Sequence, residues 1–261
     1  MVSTPALICM AVTLVLCVII PLAGIGVLAR RNKQVLRAFG VGALAFFVSQ
    51  MLLRIPLMSL ATAFAPDTIG AFLSSVPVAS FSAGLFEETA RLVFMLLLLK
   101  GFHRLVDGLA FGFGHGGIEA ILLVGMTMVN NLVIALMMNA GMWNSIAKSM
   151  PPEAAEQIQA VLTETPASSY LAGGVERMWA IGLHIACSLI IMMGIQRGRK
   201  FLAWLLAVLV HGCVNLGALS ALRHGINTWL VELCGVLVIA ALLALVIGRA
   251  RMVLPTAFEQ R

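Results

Sequence analysis

The sequence predicts an all-α, polytopic membrane bundle of about seven transmembrane helices, with the N-terminus outside and the C-terminus in the cytoplasm. Three observations predict it. Hydrophobic residues make up 61% of the 261 residues and charged residues 11%, against roughly 45–50% and 25% in an average soluble domain. So few charges cannot cover the apolar atoms in water, and the mean hydropathy is +1.03. The chain also divides into runs of about 20 mostly apolar residues, each enough to cross roughly 30 Å of hydrocarbon. Finally, the basic residues fall in short clusters on alternate connections.

Taken in order, the expected spans are 5–28, 39–62, 74–99, 105–137, 170–195, 201–221 and 228–248. Span one carries no charge before its apolar run, which is itself long enough to span, so a cleavable signal peptide is not expected. Span four is long and opens with the Gly-rich stretch from Phe111 to Gly117. The spacing there predicts a tilt, a bend or very close packing against a neighbour. Residues 139–169 form the only sizeable polar connection, expected to be extracytoplasmic. Pro151-Pro152 followed by EAAEQIQAVL predicts a short amphipathic helix with proline in its first turn. The whole chain, 1–261, reads as a single transmembrane domain without internal repeats.

Arg30, Arg31, Lys33, Arg37, Lys100, Arg104, Arg197, Arg199, Lys200, Arg249, Arg251 and Arg261 follow spans one, three, five and seven, whereas Lys148 and Arg223 lie on the other side. The asymmetry orients the bundle by the positive-inside rule. It also argues against nucleic acid as a partner, despite a net charge of +6, because the cations form no single patch. The expected partner on these grounds is the lipid bilayer. Cys9, Cys17, Cys187, Cys213 and Cys234 all lie in apolar runs with no CxxC pair, as packing residues do.

Several polar residues interrupt the spans. Span three holds Glu87, Glu88 and Arg91, and at roughly 2.5–3.5 kcal/mol each the three would cost about 8–10 kcal/mol on insertion. That is tolerable only on a face turned into the bundle. Arg91 can reach either glutamate at i,i+3 or i,i+4, and the two glutamates diverge by about 100° around the helix. Span four adds His115 and Glu119, span five His184, and span six His211 with Asn215. Counted from the cytoplasmic ends, Glu88, His115, His184 and His211 all lie roughly 15–18 Å deep. Scattered helix–helix hydrogen bonds have no reason to share a depth. A single site requires it. Arg54 in span two is expected to pair with Glu232 in span seven, the alternative being that it reaches this site. Glu176 and Arg177, near the outer end of span five, should either snorkel or pair with one another, and Asp107, His103 and His224 at span ends or in loops need no special account.

Two or three imidazoles with one or two carboxylates form a donor set suited to zinc. A metal-bound water titrates near neutral pH, and a nearby glutamate can take its proton. Glu87 and Glu88 would divide the work, one as base and the other as ligand or orienting group, with Arg91 keeping the pair ionised. The candidate metal residues are His115, His184, His211 and Glu119. The absence of HExxH excludes the zincin arrangement on one helix.

With these residues in view, the chain resembles the YhfC-type membrane proteins, in the superfamily of CAAX-processing and bacteriocin-processing intramembrane proteases that also holds PrsW. Glu87-Glu88-Thr-Ala-Arg91 matches the Glu-Glu motif with its following basic residue, here one position closer than in the CAAX type. Phe111 to His115 matches FxxxH, while Glu119 matches the glutamate that PrsW-type members carry instead. His184 matches the histidine of the third motif, and His211 with Asn215 the final HxxxN. The matched stretch is about 80–220. The resemblance implies metal-dependent peptide hydrolysis of a membrane-associated polypeptide, as partner and substrate, in a bacterial cytoplasmic membrane, with Glu87 or Glu88 as base. It further implies His115, His184 and His211 as metal or substrate contacts and Asn215 as an oxyanion donor. The competing classes are a proton- or cation-coupled transporter, which buried Glu, His and Arg could equally serve, and a catalytically inactive relative acting as a membrane binding protein.

Overall fold

The computed structural model describes residues 1–101 and 103–255, so Arg261 lies outside the described residues. Among these the regular structure is helical, without strands. The long helices are α1 (Thr4–Arg31), α2 (Val35–Phe64), α3 (Val76–Leu98), α4 (Leu105–Asn139), α5 (Pro152–Glu164), α6 (Ala167–Gln196), α7 (Lys200–Arg223) and α8 (Thr228–Val253). Six are long and apolar enough to cross a membrane. α3 makes a seventh together with its lead-in Pro66–Leu73, from which it bends by 64°. The protein is a multi-pass membrane protein. Each expected span coincides with a helix, and α5 begins with Pro152 at its first position, where the missing N–H would have no partner anyway.

Two of the long helices are not α-helical throughout. α2 contains a π-helical segment, Phe47–Arg54, and α4 another, Ala120–Gly125. Two interhelical turns are built alike. After α6, Gly198 adopts φ +68 while Arg199 N–H reaches Gly194 O at 2.8 Å. After α7, Gly225 adopts φ +75 while Ile226 N–H reaches Ala221 O at 3.0 Å. Glycine occupies the left-handed position that closes a helix in this way.

The chain separates into two compact units, Met1–Ile20 with Ala120–Met178, and Pro21–Glu119 with Trp179–Arg261. The first has its own core of Val2, Ala6, Met10, Met128, Ala135, Met138, Leu162 and Tyr170. The apolar face of α5 enters that core through Leu162 and Ile158, and Tyr170 ties the end of α5 by donating to Val161 O at 2.9 Å. Of the two arrangements expected for Glu176 and Arg177, the mutual pair is present.

The second unit contains every polar residue that the sequence brings to one depth. There, the first part of α2 packs along α4, and α7 packs along α3. The glycines set how closely. A Cβ on Gly42 would meet the backbone carbonyl of Phe111, and one on Gly114 that of Phe39. A Cβ on Gly116 would lie 2.9 Å from both Ile181 Cα and His184 Cδ2. The Gly-rich stretch of α4 therefore serves close approach to α2 and α6. Within α6, Trp179 to Met192 is continuously buried.

Two expectations need correction. Arg54 does not pair with Glu232: it donates to Gln50 Oε1, Ser82 Oγ and Ala79 O at 2.9–3.1 Å. Glu232 accepts from Trp179 Nε1 at 2.7 Å. The π segment turns Arg54 toward α3. Asp107 is not an ordinary span-end residue either. It is fully buried and accepts from Arg104 backbone N, Nε and Nη2 at 2.8–3.0 Å, closing the start of α4.

Candidate metal centre

Glu87, Glu88 and Arg91 are buried on α3, and the helical offset between the glutamates delivers them to different partners. Glu88 is held on both oxygens. Arg91 Nε donates to Oε2 at 2.7 Å and Arg91 Nη2 to Oε1 at 3.2 Å, while His211 Nδ1 lies 2.9 Å from Oε1. Arg91 thus chooses the glutamate three residues away. Its Nη1 donates to Ser188 Oγ at 2.6 Å and His184 O at 3.2 Å. The buried guanidinium finds acceptors all round, as a charge in an apolar interior requires.

Glu87 is held otherwise. Gln50 Nε2 donates to Oε1 at 2.7 Å, and His115 Nε2 lies 3.0 Å from Oε2. His184 Nδ1 is 3.8 Å from the same oxygen. An ionised carboxylate only accepts, so His115 carries its proton on Nε2. The ring sits edge-on to Phe46 and stacks near Phe111, with centroids 5.5 and 6.3 Å away, and its buried Nδ1 has no hydrogen-bond partner.

The three imidazoles meet from three helices. His115 and His184 have ring centroids 4.8 Å apart, and His184 and His211 5.3 Å. Arg91 Nη2 lies 3.0 Å from His184 Nδ1; because arginine cannot accept, that nitrogen is the acceptor and the proton resides on Nε2. There Nε2 faces Glu119 Oε2 at 2.6 Å. His211 is therefore hydrogen-bonded to Glu88, whereas His184 has Glu119 as an ion-pair neighbour without hydrogen-bond alignment. The remaining candidate, Asn215, is half-buried one turn along α7 from His211, on the same face.

The donor set fits a metal ion. Glu87, His184 and His211 are all buried, with one donor atom from each within 4.8 Å of the others. A tetrahedral zinc with bonds of about 2.0–2.1 Å would need donors roughly 3.3–3.4 Å apart, closer than the 4.8 Å limit within which they lie. Carboxylates on the far nitrogens of ligating histidines are the usual supports of such a centre.

Two participants escape a reading based on charged and imidazole residues alone, Gln50 and Ser188, whereas Arg54 reaches the site through Gln50, the alternative that the sequence left open. Each nevertheless lies four residues from a polar partner, Gln50 with Arg54 and His184 with Ser188. This is the i,i+4 spacing shared by His115–Glu119 and His211–Asn215.

A family model described as YhfC intramembrane metalloprotease matches residues 15–235. That is wider than the 80–220 stretch of the motifs and takes in most of α1 and all of α2. The chain is 31% identical over 228 residues to "Uncharacterized membrane protein YhfC" of Bacillus subtilis (strain 168), across 84% of this chain and 86% of that protein. No solved structure matches. The matched region includes every member of the Glu/His cluster, and the chain belongs to the YhfC family of intramembrane metalloproteases.

Proposed function

We propose that the protein is a metal-dependent intramembrane endopeptidase that hydrolyses a peptide bond of a membrane-associated polypeptide. The observation that carries this reading is the convergence of Glu87, His184 and His211 in one buried cluster. His211 would bind zinc through Nε2, its Nδ1 being directed at Glu88. His184 would bind through Nδ1, exchanging the Arg91 contact, with Nε2 on the side of Glu119. Glu87 Oε2 supplies the third donor. Two histidines and one carboxylate leave a position open for water.

When bound, the ion would acidify water and polarise the scissile carbonyl. Glu87 is also the proton acceptor, because Oε1 keeps a second lone pair beside its bond from Gln50 while Oε2 faces the histidines as the metal donor. It takes a proton from the attacking water on Oε1 and returns it to the leaving amine. Glu88 is unsuited to proton transfer, because Arg91 occupies both its oxygens, and it orients His211 instead. Asn215 would donate from Nδ2 to the oxyanion that develops on the carbonyl. Buried packing around the cluster excludes bulk water and strengthens each of these interactions.

The basic clusters support a bacterial cytoplasmic membrane location with the N-terminus outside, which sets the 139–169 connection on the outer side. The test combines elemental analysis of detergent-purified protein with a survey of peptide termini in membranes of expressing cells. Near-stoichiometric zinc that is absent from His211→Ala, and new termini that are absent with Glu87→Gln, are expected. Folded protein without metal after supplementation would overturn the reading and favour a proton-coupled transporter.

A further inference from the structure

We infer that Gln50 and Arg54 are positioning residues that hold Glu87 in its working orientation; the inference rests on the peptidase reading above. They come from the π-helical segment Phe47–Arg54, where Ile55 N–H bonds back to Gln50 O. Such segments interrupt an α-helix at a cost and recur where side chains must be re-aimed. Here the segment brings both residues to α3. Gln50 is buried, and its Nε2 donates to Glu87 Oε1 at 2.7 Å, while its Oε1 accepts from Arg54 Nη1 at 3.1 Å. Arg54 is anchored on α3 itself, donating through Nε to Ser82 Oγ at 3.1 Å and through Nη2 to Ala79 O at 2.9 Å.

The chemistry of the chain allows one direction only. A guanidinium has no acceptor, so the amide oxygen must face Arg54 and the amide nitrogen must face Glu87. The amide assignment, ambiguous from shape alone, is decided by its two neighbours. Contrast the adjacent glutamate. Arg91 pairs directly with Glu88 and engages both oxygens. At Glu87 a neutral amide stands between cation and carboxylate and takes one oxygen, which leaves Oε2 for the histidines. Arg54 polarises that amide and fixes its rotation. The arrangement explains how two neighbouring glutamates on one helix come to differ, one locked and one available.

The test uses the full chain in detergent, with zinc alone as the probe. The infrared carboxylate band of Glu87 is identified as the band lost in Glu87→Gln, and zinc affinity is measured by competition with a chromophoric chelator. Gln50→Leu should shift the Glu87 band and weaken zinc by about 10–100-fold, the usual effect of losing a support of a ligand. Arg54→Met should act in the same direction, and Arg54→Lys should recover part of the loss. The combined Gln50→Leu/Arg54→Met variant should be no worse than Gln50→Leu, because Arg54 acts through Gln50. If Gln50→Leu does not fold, Gln50→Asn, too short to bridge both partners, should give the band shift. An unmoved band, or additive losses in the double variant, overturns the inference. Absence of zinc from the wild type counts against the peptidase reading instead, and the band shift then decides the positioning role by itself.

Discussion

His211 Nδ1 on α7 lies 2.9 Å from Glu88 Oε1 on α3, a contact between residues 123 apart in the chain. It fixes the tautomer of His211, because the ionised carboxylate can only accept. The other ring nitrogen is thereby left with a lone pair for a metal ion. Glu88 is itself neutralised by Arg91 at 2.7 Å. One buried ion pair thus supports a histidine on another helix.

Removing that support should be severe. Glu88→Ala leaves Arg91 buried without its counter-charge, and breaking a buried pair typically costs about 3–5 kcal/mol. The variant should show a lowered melting temperature in detergent, together with loss of zinc. Arg91→Lys should not rescue the site, since one ammonium cannot reproduce the fork that meets Glu88, Ser188 and His184.

Glu87→Gln should separate chemistry from folding. Its amide keeps the size of the side chain and can still accept from Gln50, so the thermal transition should stay near that of the wild type. Peptide hydrolysis should fall about 10²–10⁴-fold, the range for loss of a general base. A cleavage assay on isolated membranes checks this against a melting curve of the same preparation.

Asn215→Ala should lower kcat with little change in KM. As an oxyanion donor it would meet charge that exists only in the transition state, and loss of such a donor costs about 10²–10³-fold. An equal effect on KM would instead mark Asn215 as a substrate contact.

The close approach of α2 and α4 makes a prediction about glycine. Gly42→Ala sets a Cβ against the Phe111 carbonyl, and backbone cannot move aside. Gly40→Ala, two residues away, meets nothing within 4 Å. The first should reduce the yield and melting temperature of folded protein, and the second should leave both unchanged, as read by size-exclusion chromatography and thermal unfolding.

Orientation is open to a direct check. A fluorescent reporter that matures only in the cytoplasm should be bright when fused after the C-terminus and dark when inserted between α4 and α5. The reverse pattern would overturn the orientation read from the basic clusters.

The membrane class, the spans and the level of the polar residues are legible in the sequence because they depend on composition and on a fixed rise per residue. A helix must bury about 20 apolar residues whatever its neighbours are, and equal depth brings Glu88, His115, His184 and His211 to one layer. The Gly-rich start of α4 likewise announces close packing, although not its partners. What the tertiary structure decided is who meets whom. Helical period places Arg91 within reach of both glutamates, but only His211, Ser188 and His184 on other helices draw it to Glu88. The pairing expected for Arg54 failed for the same reason: two of its acceptors lie on α3 and the third on α2 itself, and the π segment that turns it toward α3 leaves no mark in the hydropathy pattern. Sequence spacing governs contacts within a helix, whereas contacts between helices depend on rotation and register, which packing alone sets.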